Sequence, residues 1–365
     1  MPRQIATALL RPGMKLGRSI YDERGRVLLR RGVELKEAYI ARLKHYFSSV
    51  YIEDRAFDGI EVPQVIADEQ RHELQRMLAD EWGRVAKAAS FERVAFSRNF
   101  ARSLSDQMRN LMTTVRFTTC IQEDLSALAG YDNATYVHSV NVAIYALAIG
   151  AGLGLPDGML LDLGVGALLH DIGKLWVPGQ VLNKPDRLTA EEYEQVQKHA
   201  AYGHDMLVRQ PELSYQIAHC AFQHHERMNG SGYPRRLRGD EIHLFGKILA
   251  VADVYDAMVM HRPYRPGVSP ADVMEYLFSS VGSLFDLEIV SLFSRKVSMY
   301  PVGTQVLLSD GRVAAVVGLR EAVPSRPLVR VLGDQEGGPV DIDLSVTLNL
   351  TIVHAGDVTI YTAID

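Results

Sequence analysis

Cysteine is scarce in this chain, with only Cys120 and Cys220 in 365 residues. They lie far apart and form no CxxC pair, which argues against a disulfide framework or a thiolate metal site and favours a reducing compartment. Long hydrophobic runs are also missing. The most apolar stretch, Val142 to Leu155, is uncharged but too short for a bilayer, and Pro156, Asp157 and Asp162 interrupt its continuation. It reads as a buried helix. The start, Met1-Pro2-Arg3-Gln4, enters mixed polar sequence with no charged segment, apolar core or cleavage site behind it. A cytoplasmic chain without membrane attachment is expected. Neither charge sign dominates: 39 Lys and Arg against 44 Asp and Glu leave a formal charge of −5. That balance argues against broad binding to DNA or anionic lipid. An anionic substrate would need local positive charge, which Lys174, Arg262, Arg265 or bound metal ions could supply. No internal repeat or extended low-complexity segment is visible.

What the chain does contain is 47% hydrophobic residues, enough for a sizeable core, over a length that predicts two or three packed units. Residues 1–63 read as a small α+β accessory or regulatory domain. Apolar positions alternate from Lys15 to Leu29 around the turn signal Asp22-Glu23-Arg24-Gly25. Leu35, Tyr39, Ile40 and Leu43 then keep helical spacing within Glu34 to Tyr46, and Ser49-Val50-Tyr51-Ile52 forms a short strand. Residues 64–129 carry connecting helices, with Leu74, Met77 and Leu78, then Leu104, Met108, Leu111 and Val115, at helical intervals between charges. These helices could pair between subunits of a homodimer, although clean heptads are not sustained. Residues 130–298 are helical in pattern, with turns at Pro156-Asp157-Gly158 and Asn183-Lys184-Pro185-Asp186 and a helix N-cap at Thr189. Residues 299–365 lose the helical period. Gln305 to Leu308 and Val313 to Val317 flank the turn Ser309-Asp310-Gly311-Arg312, while Leu328 to Leu332 and Leu348 to Val353 add strands that could close a small barrel. The fold class is therefore mostly α: a helical metal-binding domain flanked by a small N-terminal α+β unit and a small C-terminal β-unit.

Candidate ligands concentrate in the long helical segment. His170-Asp171-Ile172-Gly173-Lys174 ends an apolar helical stretch, and His138, His199, His224, His225 and Asp253 surround it in sequence. Imidazole nitrogens with carboxylate oxygens and no thiolate suit two hydrolytic metal ions sharing a bridging hydroxide better than one structural zinc. Cleavage of a phosphate bond is the chemistry expected. A helix running to Lys174 would put His170 and Lys174 on one face, with Asp171 about 100° round the axis. His138 lies in an apolar helix and needs either a metal or a hydrogen-bond partner. Adjacent helical histidines diverge, so His224 and His225 both bind only if metal ions lie between their directions; a polar helix end with one structural histidine is the alternative. Asp253 in apolar surroundings calls for a metal or a cationic partner, and Asp256, one turn later, fits a structural role orienting Lys174 or a ligand. His45, His204, His219, His243 and His261 lack matching partners, and Cys120 and Cys220 are assigned to packing.

In order within residues 131–270, His170-Asp171-Ile172-Gly173-Lys174, His224-His225-Glu226-Arg227, Gly230-Ser231-Gly232-Tyr233-Pro234 and Arg262-Pro263-Tyr264-Arg265 resemble the HD-GYP phosphodiesterases, a bacterial branch of the HD hydrolases. The first segment, with Leu10-Arg11-Pro12-Gly13-Met14 and Gly25-Arg26-Val27-Leu28-Leu29, is similar to an N-terminal domain often attached to these enzymes, and the β-rich tail resembles a C-terminal appendage of some members. The resemblance implies hydrolysis of cyclic di-GMP to linear pGpG, often continuing to GMP, in second-messenger signalling, with cyclic GMP-AMP the substrate of some relatives. It implies iron or manganese, held by His138, His170, Asp171, His199, His224, His225 and Asp253, with Asp171 bridging. Lys174 would stabilise charge on a phosphoryl oxygen. Tyr233 would contact substrate or Lys174, and Arg262 and Arg265 would clamp phosphates or guanine; a purely structural turn and a solvated charge cluster are the alternatives. Ala134 stands where some three-metal members carry a glutamate, so two ions are expected rather than three. Met228-Asn229 replaces a common Trp-Asp pair, and Gly246-Lys247 a frequent Ala-Arg pair. No residue is evident for protonating the leaving group. Two other readings stay open: a non-catalytic module that docks signalling proteins such as diguanylate cyclases, and an HD phosphohydrolase acting on another nucleotide.

Overall fold

A computed structural model describes residues 2–21, 26–47, 49–54, 65–88, 94–118, 120–121, 134–184, 186–260, 267–320, 323–332 and 340–356. The N-terminal part contains β1 (Pro2–Ala6), β2 (Ile20–Tyr21), β3 (Val27–Leu29), α1 (Glu37–Tyr46) and β4 (Ser49–Glu53). β1 and β4 pair antiparallel with Ile5 opposite Val50, and β2 pairs with β3. Helix α1 starts later than the expected Glu34, and its buried Ile40 and Leu43 join Ile5, Leu16, Leu35 and Ile52 in a small core. The turn expected at residues 22–25 lies outside the described residues.

The central part comprises α2 (Asp68–Val85), α3 (Arg98–Phe117), α4 (Ala134–Gly152), α5 (Asp157–Leu169), α6 (Gly179–Leu182), α7 (Ala190–Leu207), α8 (Tyr215–Gln223), α9 (Leu244–Val259), α10 (Pro270–Ser279) and α11 (Leu287–Lys296). Helix α4 is apolar around its whole circumference, the pattern of a helix surrounded by others. It packs against α2, α3, α5, α9 and α11 at the centre of the largest core. Helix α3 is amphipathic, and the inward row Leu104, Met108, Leu111 and Val115 joins that core, as the spacing predicts. Capping fixes where α7 begins: Thr189 accepts from the Glu192 N–H while the Glu192 carboxylate accepts from the Thr189 N–H. Among the described residues no helix is long and apolar enough to cross a membrane.

Two close approaches bring helix ends together. A Cβ on Gly166 of α5 would lie 2.3 Å from Cys220 Sγ of α8, so only glycine lets these helices lie this close. After α5 the chain tightens into a 3₁₀ turn, Ile172–Trp176, where a Cβ on Gly173 would lie 1.9 Å from the His199 carbonyl oxygen of α7. The ends of α5 and α8 and the middle of α7 therefore meet.

The C-terminal part is an antiparallel sheet in the order β8-β7-β6-β5-β9, formed by β5 (Gln305–Leu308), β6 (Val313–Gly318), β7 (Leu328–Val331), β8 (Asp341–Asp343) and β9 (Ile352–Ala355). The strand expected from Leu348 begins only at Ile352, and β8 is a further strand beyond those expected. Among the described residues β8 and β9 form the two edges and do not pair, so these strands form an open sheet and not the small barrel they could have closed. Its core, around Val306, Val316, Val329 and Leu344, is separate from the other two.

Candidate metal centre

The sequence pattern lets the helix carrying His170 run on to Lys174, but α5 stops at Leu169, with His170 as its C-cap. Asp171 takes a non-helical conformation (φ −98°, ψ 6°) at the head of the 3₁₀ turn. This corrects the expected placement of Asp171 round a continuous helix. The break turns its carboxylate inward, where it is 1% exposed, and Lys174 reaches back to ion-pair with Oδ2. The expected divergence of His224 and His225 is removed in the same way. Helix α8 ends at Gln223, and the two rings approach to 4.0 Å between centroids.

Asp171 sits between two groups of imidazoles. Its Oδ2 lies 3.4 Å from His170 Nε2 and 3.9 Å from His138 Nε2, while Oδ1 lies 3.6 Å from His199 Nε2 and 3.8 Å from His224 Nε2. Asp253 of α9 spans the same divide. Its Oδ1 is 3.0 Å from His138 Nε2 and 4.0 Å from His170 Nε2, and its Oδ2 is 3.9 Å from His225 Nδ1. Two triads, His138 with His170 and Asp171, and His199 with His224 and His225, each bring their ligand atoms within 4.8 Å of one another. All seven residues expected as ligands are thus brought to one place.

Most of these rings are aimed by bonds on their far side. The Nδ1 atoms of His170, His199 and His224 face the carbonyls of Ala167, Val196 and Cys220 at 2.7, 2.6 and 2.9 Å. A carbonyl only accepts, so each Nδ1 carries a proton and each Nε2 is the ring atom turned to the centre. His138 is oriented by Asp256, whose Oδ2 lies 2.7 Å from its Nδ1, so Asp256 supports a ring and does not touch Lys174 through any described contact. Burial, together with neighbouring imidazoles, pushes His224 and His225 well below the ordinary histidine range, and burial also lowers His199. Burial alone would lower His138 as well, but its bonds to Asp253 and Asp256 raise it to about 9. Burial opposes ionisation of Asp171, yet Lys174 and His170 outweigh it and hold the carboxyl well below the usual range.

The donor set fits divalent metal ions. Asp171 Oδ1 and His170 Nε2 are buried without a hydrogen-bond partner, an arrangement that is unfavourable unless something else satisfies them. Imidazole nitrogens and carboxylate oxygens, with no thiolate, are what a borderline to hard cation requires.

Tyr233 stacks on the His225 ring, with centroids 4.5 Å apart and planes inclined by 28°. Burial raises its phenol pKa, keeping it a hydrogen-bond donor. Its loop borders a cleft of about 400 Å³ that also touches Glu194, Lys198 and Arg236. Sequence reasoning assigned no role to Glu226, whose buried carboxylate accepts the backbone N–H groups of Arg235 and Leu237 at 2.7 and 2.9 Å and so fixes this loop. Its place in the motif His224-His225-Glu226-Arg227 was the signal that could have found it. Arg262 and Arg265 lie outside the described residues. Of the unassigned histidines, His219 and His243 stack on each other at 4.6 Å and His204 lies on Phe222; His261 is outside the described residues.

Histidines and aspartates from several helices thus gather around a shared carboxylate, and residues 117–289 match the family model described as an HD domain. Residues 305–363 match a KOW domain associated with HD domains. Among curated proteins the chain is 39% identical to a cyclic di-GMP phosphodiesterase of Pseudomonas aeruginosa, over 51% of this chain and 45% of that protein. It is 37% identical to a cyclic di-GMP phosphodiesterase of Thermotoga maritima, over 47% of this chain and 48% of the relative. It is also 34% identical to a 3'3'-cGAMP-specific phosphodiesterase of Vibrio cholerae, over 50% of this chain and 36% of the relative. The chain thus matches less than half the length of each of these relatives. Residues 117–289 thus match an HD domain, and a KOW-type domain follows it at residues 305–363.

Proposed function

We propose that this protein is a metal-dependent phosphodiesterase that hydrolyses cyclic di-GMP to pGpG, and onward to GMP, in the bacterial cytoplasm. The observation carrying this reading is the Asp171 carboxylate, whose two oxygens face separate imidazole groups. Two divalent ions, iron or manganese, would be held by His138, His170, Asp171 and Asp253 on one side and His199, His224, His225 and Asp171 on the other. When bound, such ions lower the pKa of a water and neutralise phosphodiester oxygens. Lys174, partly exposed beside Asp171, would donate to a phosphoryl oxygen as charge builds there. Tyr233 would support the substrate from its stacked position on His225, and the adjoining cleft has a size suited to part of a dinucleotide. Lys198 and Arg236 at its rim, with Arg262 and Arg265, would meet the substrate's negative charge.

Cyclic GMP-AMP is the second substrate reading, supported by the similarity to the Vibrio enzyme. Protein loaded anaerobically with Fe(II), or with Mn(II), and supplied with cyclic di-GMP, cyclic GMP-AMP or cyclic di-AMP should linearise cyclic di-GMP fastest. Faster turnover of cyclic GMP-AMP would replace the substrate assignment, and no turnover of any cyclic dinucleotide with either metal would refute the proposal.

A further inference from the structure

We propose that Arg71, on connecting helix α2 and outside the matched HD domain, is a positioning residue for the His138 side of the metal centre. Arg71 Nη1 donates to Asn141 Oδ1 at 2.6 Å, Asn141 Nδ2 donates to Asp256 Oδ1 at 2.9 Å, and Asp256 Oδ2 holds His138 Nδ1 at 2.7 Å. All four residues are buried, with 9% exposure at most. Each acceptor in this chain is fixed by the next donor, so the carboxylate that aims His138 is itself aimed by the guanidinium. An amide alone could rotate. With its oxygen committed to Arg71, Asn141 must present its NH₂ to Asp256, which leaves the other Asp256 oxygen for the imidazole.

The stretch of α2 around Arg71 contacts the N-terminal part. Asp68 accepts from Arg18 of the N-terminal part at 3.3 Å, and the ring of His72, next to Arg71, lies 4.5 Å from that of Tyr21. The stretch that docks the N-terminal part therefore supplies the residue that begins the chain to His138. Partners behind a metal-binding histidine typically change metal affinity by about 10-fold to 100-fold when removed. Arg71 acts two bonds further out, so the lower end of that range is expected.

This inference rests on the metal-centre reading, and its test separates the two. The full chain is stripped with a chelator and titrated with Mn(II), bound ions are counted by elemental analysis, and affinity is read by competition with a fluorescent chelator. Wild type should take up two ions. Arg71→Met should keep one and bind the other about tenfold more weakly, while Arg71→Lys, which retains a charged donor, should recover most of the loss. Combined with Asp256→Asn, Arg71→Met should add nothing, because both act through the same bond to His138. Unchanged affinity in Arg71→Met, or additive losses in the double variant, overturns the proposal. Failure of wild type to bind Mn(II) overturns the metal-centre reading instead. If Arg71→Met does not fold, Asn141→Ser takes its place in the same cycle with the same expected and overturning results.

Discussion

Asp171 and Lys174 are ion-paired three residues apart, yet their replacement should have different consequences. Asp171→Ala removes the carboxylate shared by both imidazole groups, so bound metal and activity should be lost together. Lys174→Ala leaves every imidazole and carboxylate donor in place. It should retain metal but lower kcat by about 100-fold, the scale of losing one donor to a charge-building oxygen. Elemental analysis beside steady-state kinetics separates these outcomes, and full activity in a metal-free Asp171→Ala protein would refute the chemistry. The histidines set a pH dependence for the chelator-stripped protein. His138 is raised to about 9, so its contribution to stability is present below the unfolded value of about 6.5 and is lost as pH rises through about 9. His199, His224 and His225 are lowered, so the unfolded chain takes up their protons first as pH falls below about 6.5, and stability is lost on that side. The melting temperature should peak between these limits, and a steady rise into alkali would contradict the assignment.

At the scale of elements, the centre depends on helices that stop. Had α5 continued, Asp171 would have pointed away from His170; the 3₁₀ turn folds it inward, and Gly173 lets that turn lie against α7. Gly173→Ala would drive a methyl group into the His199 carbonyl, which α7 cannot withdraw without moving the ring. A loss of about 3 kcal/mol in unfolding free energy is expected, with weakened metal binding, and denaturant titration measures the first. Wild-type stability in that variant would show that α7 can shift. The candidate ligands were legible in the sequence because several His and Asp residues recur together in one helical segment and their motifs keep the order of the family they resemble. The helix ends were not legible, since apolar periodicity runs through residues 157–175 without a break and nothing local marks His170 as a C-cap.

For the whole molecule, three separate cores imply that damage to one can spare another. In the C-terminal part Arg326 donates to the carbonyls of Leu344, Thr347 and Leu350 at 2.7, 3.1 and 2.7 Å and so ties the β8–β9 connection to β7. Arg326→Met should destabilise that sheet by about 2 kcal/mol while leaving metal stoichiometry and kcat unchanged. Hydrogen exchange resolved by region checks this, and equal loss of protection around α4 would show that the cores unfold together. The central core has the reverse logic. Helices α2 and α3 lie partly or wholly before the matched HD domain, but Leu74, Leu78, Leu104 and Met108 are fully buried against its helices. What reads along the chain as a connector is part of the same core.

The sequence by itself determined the helical class of the centre, the order of its parts and the identity of all seven candidate ligands, because periodicity and residue chemistry are local properties. Tertiary structure decided which oxygen of Asp171 faces which imidazole, which carbonyl fixes each tautomer, and that α2 reaches His138 through Arg71, Asn141 and Asp256. Those contacts join residues up to 118 positions apart. No pattern within one helix records them: those of Asp171 depend on the close approach at Gly173 and on where α5 ends, and the relay to His138 depends on α2 and α9 packing against α4.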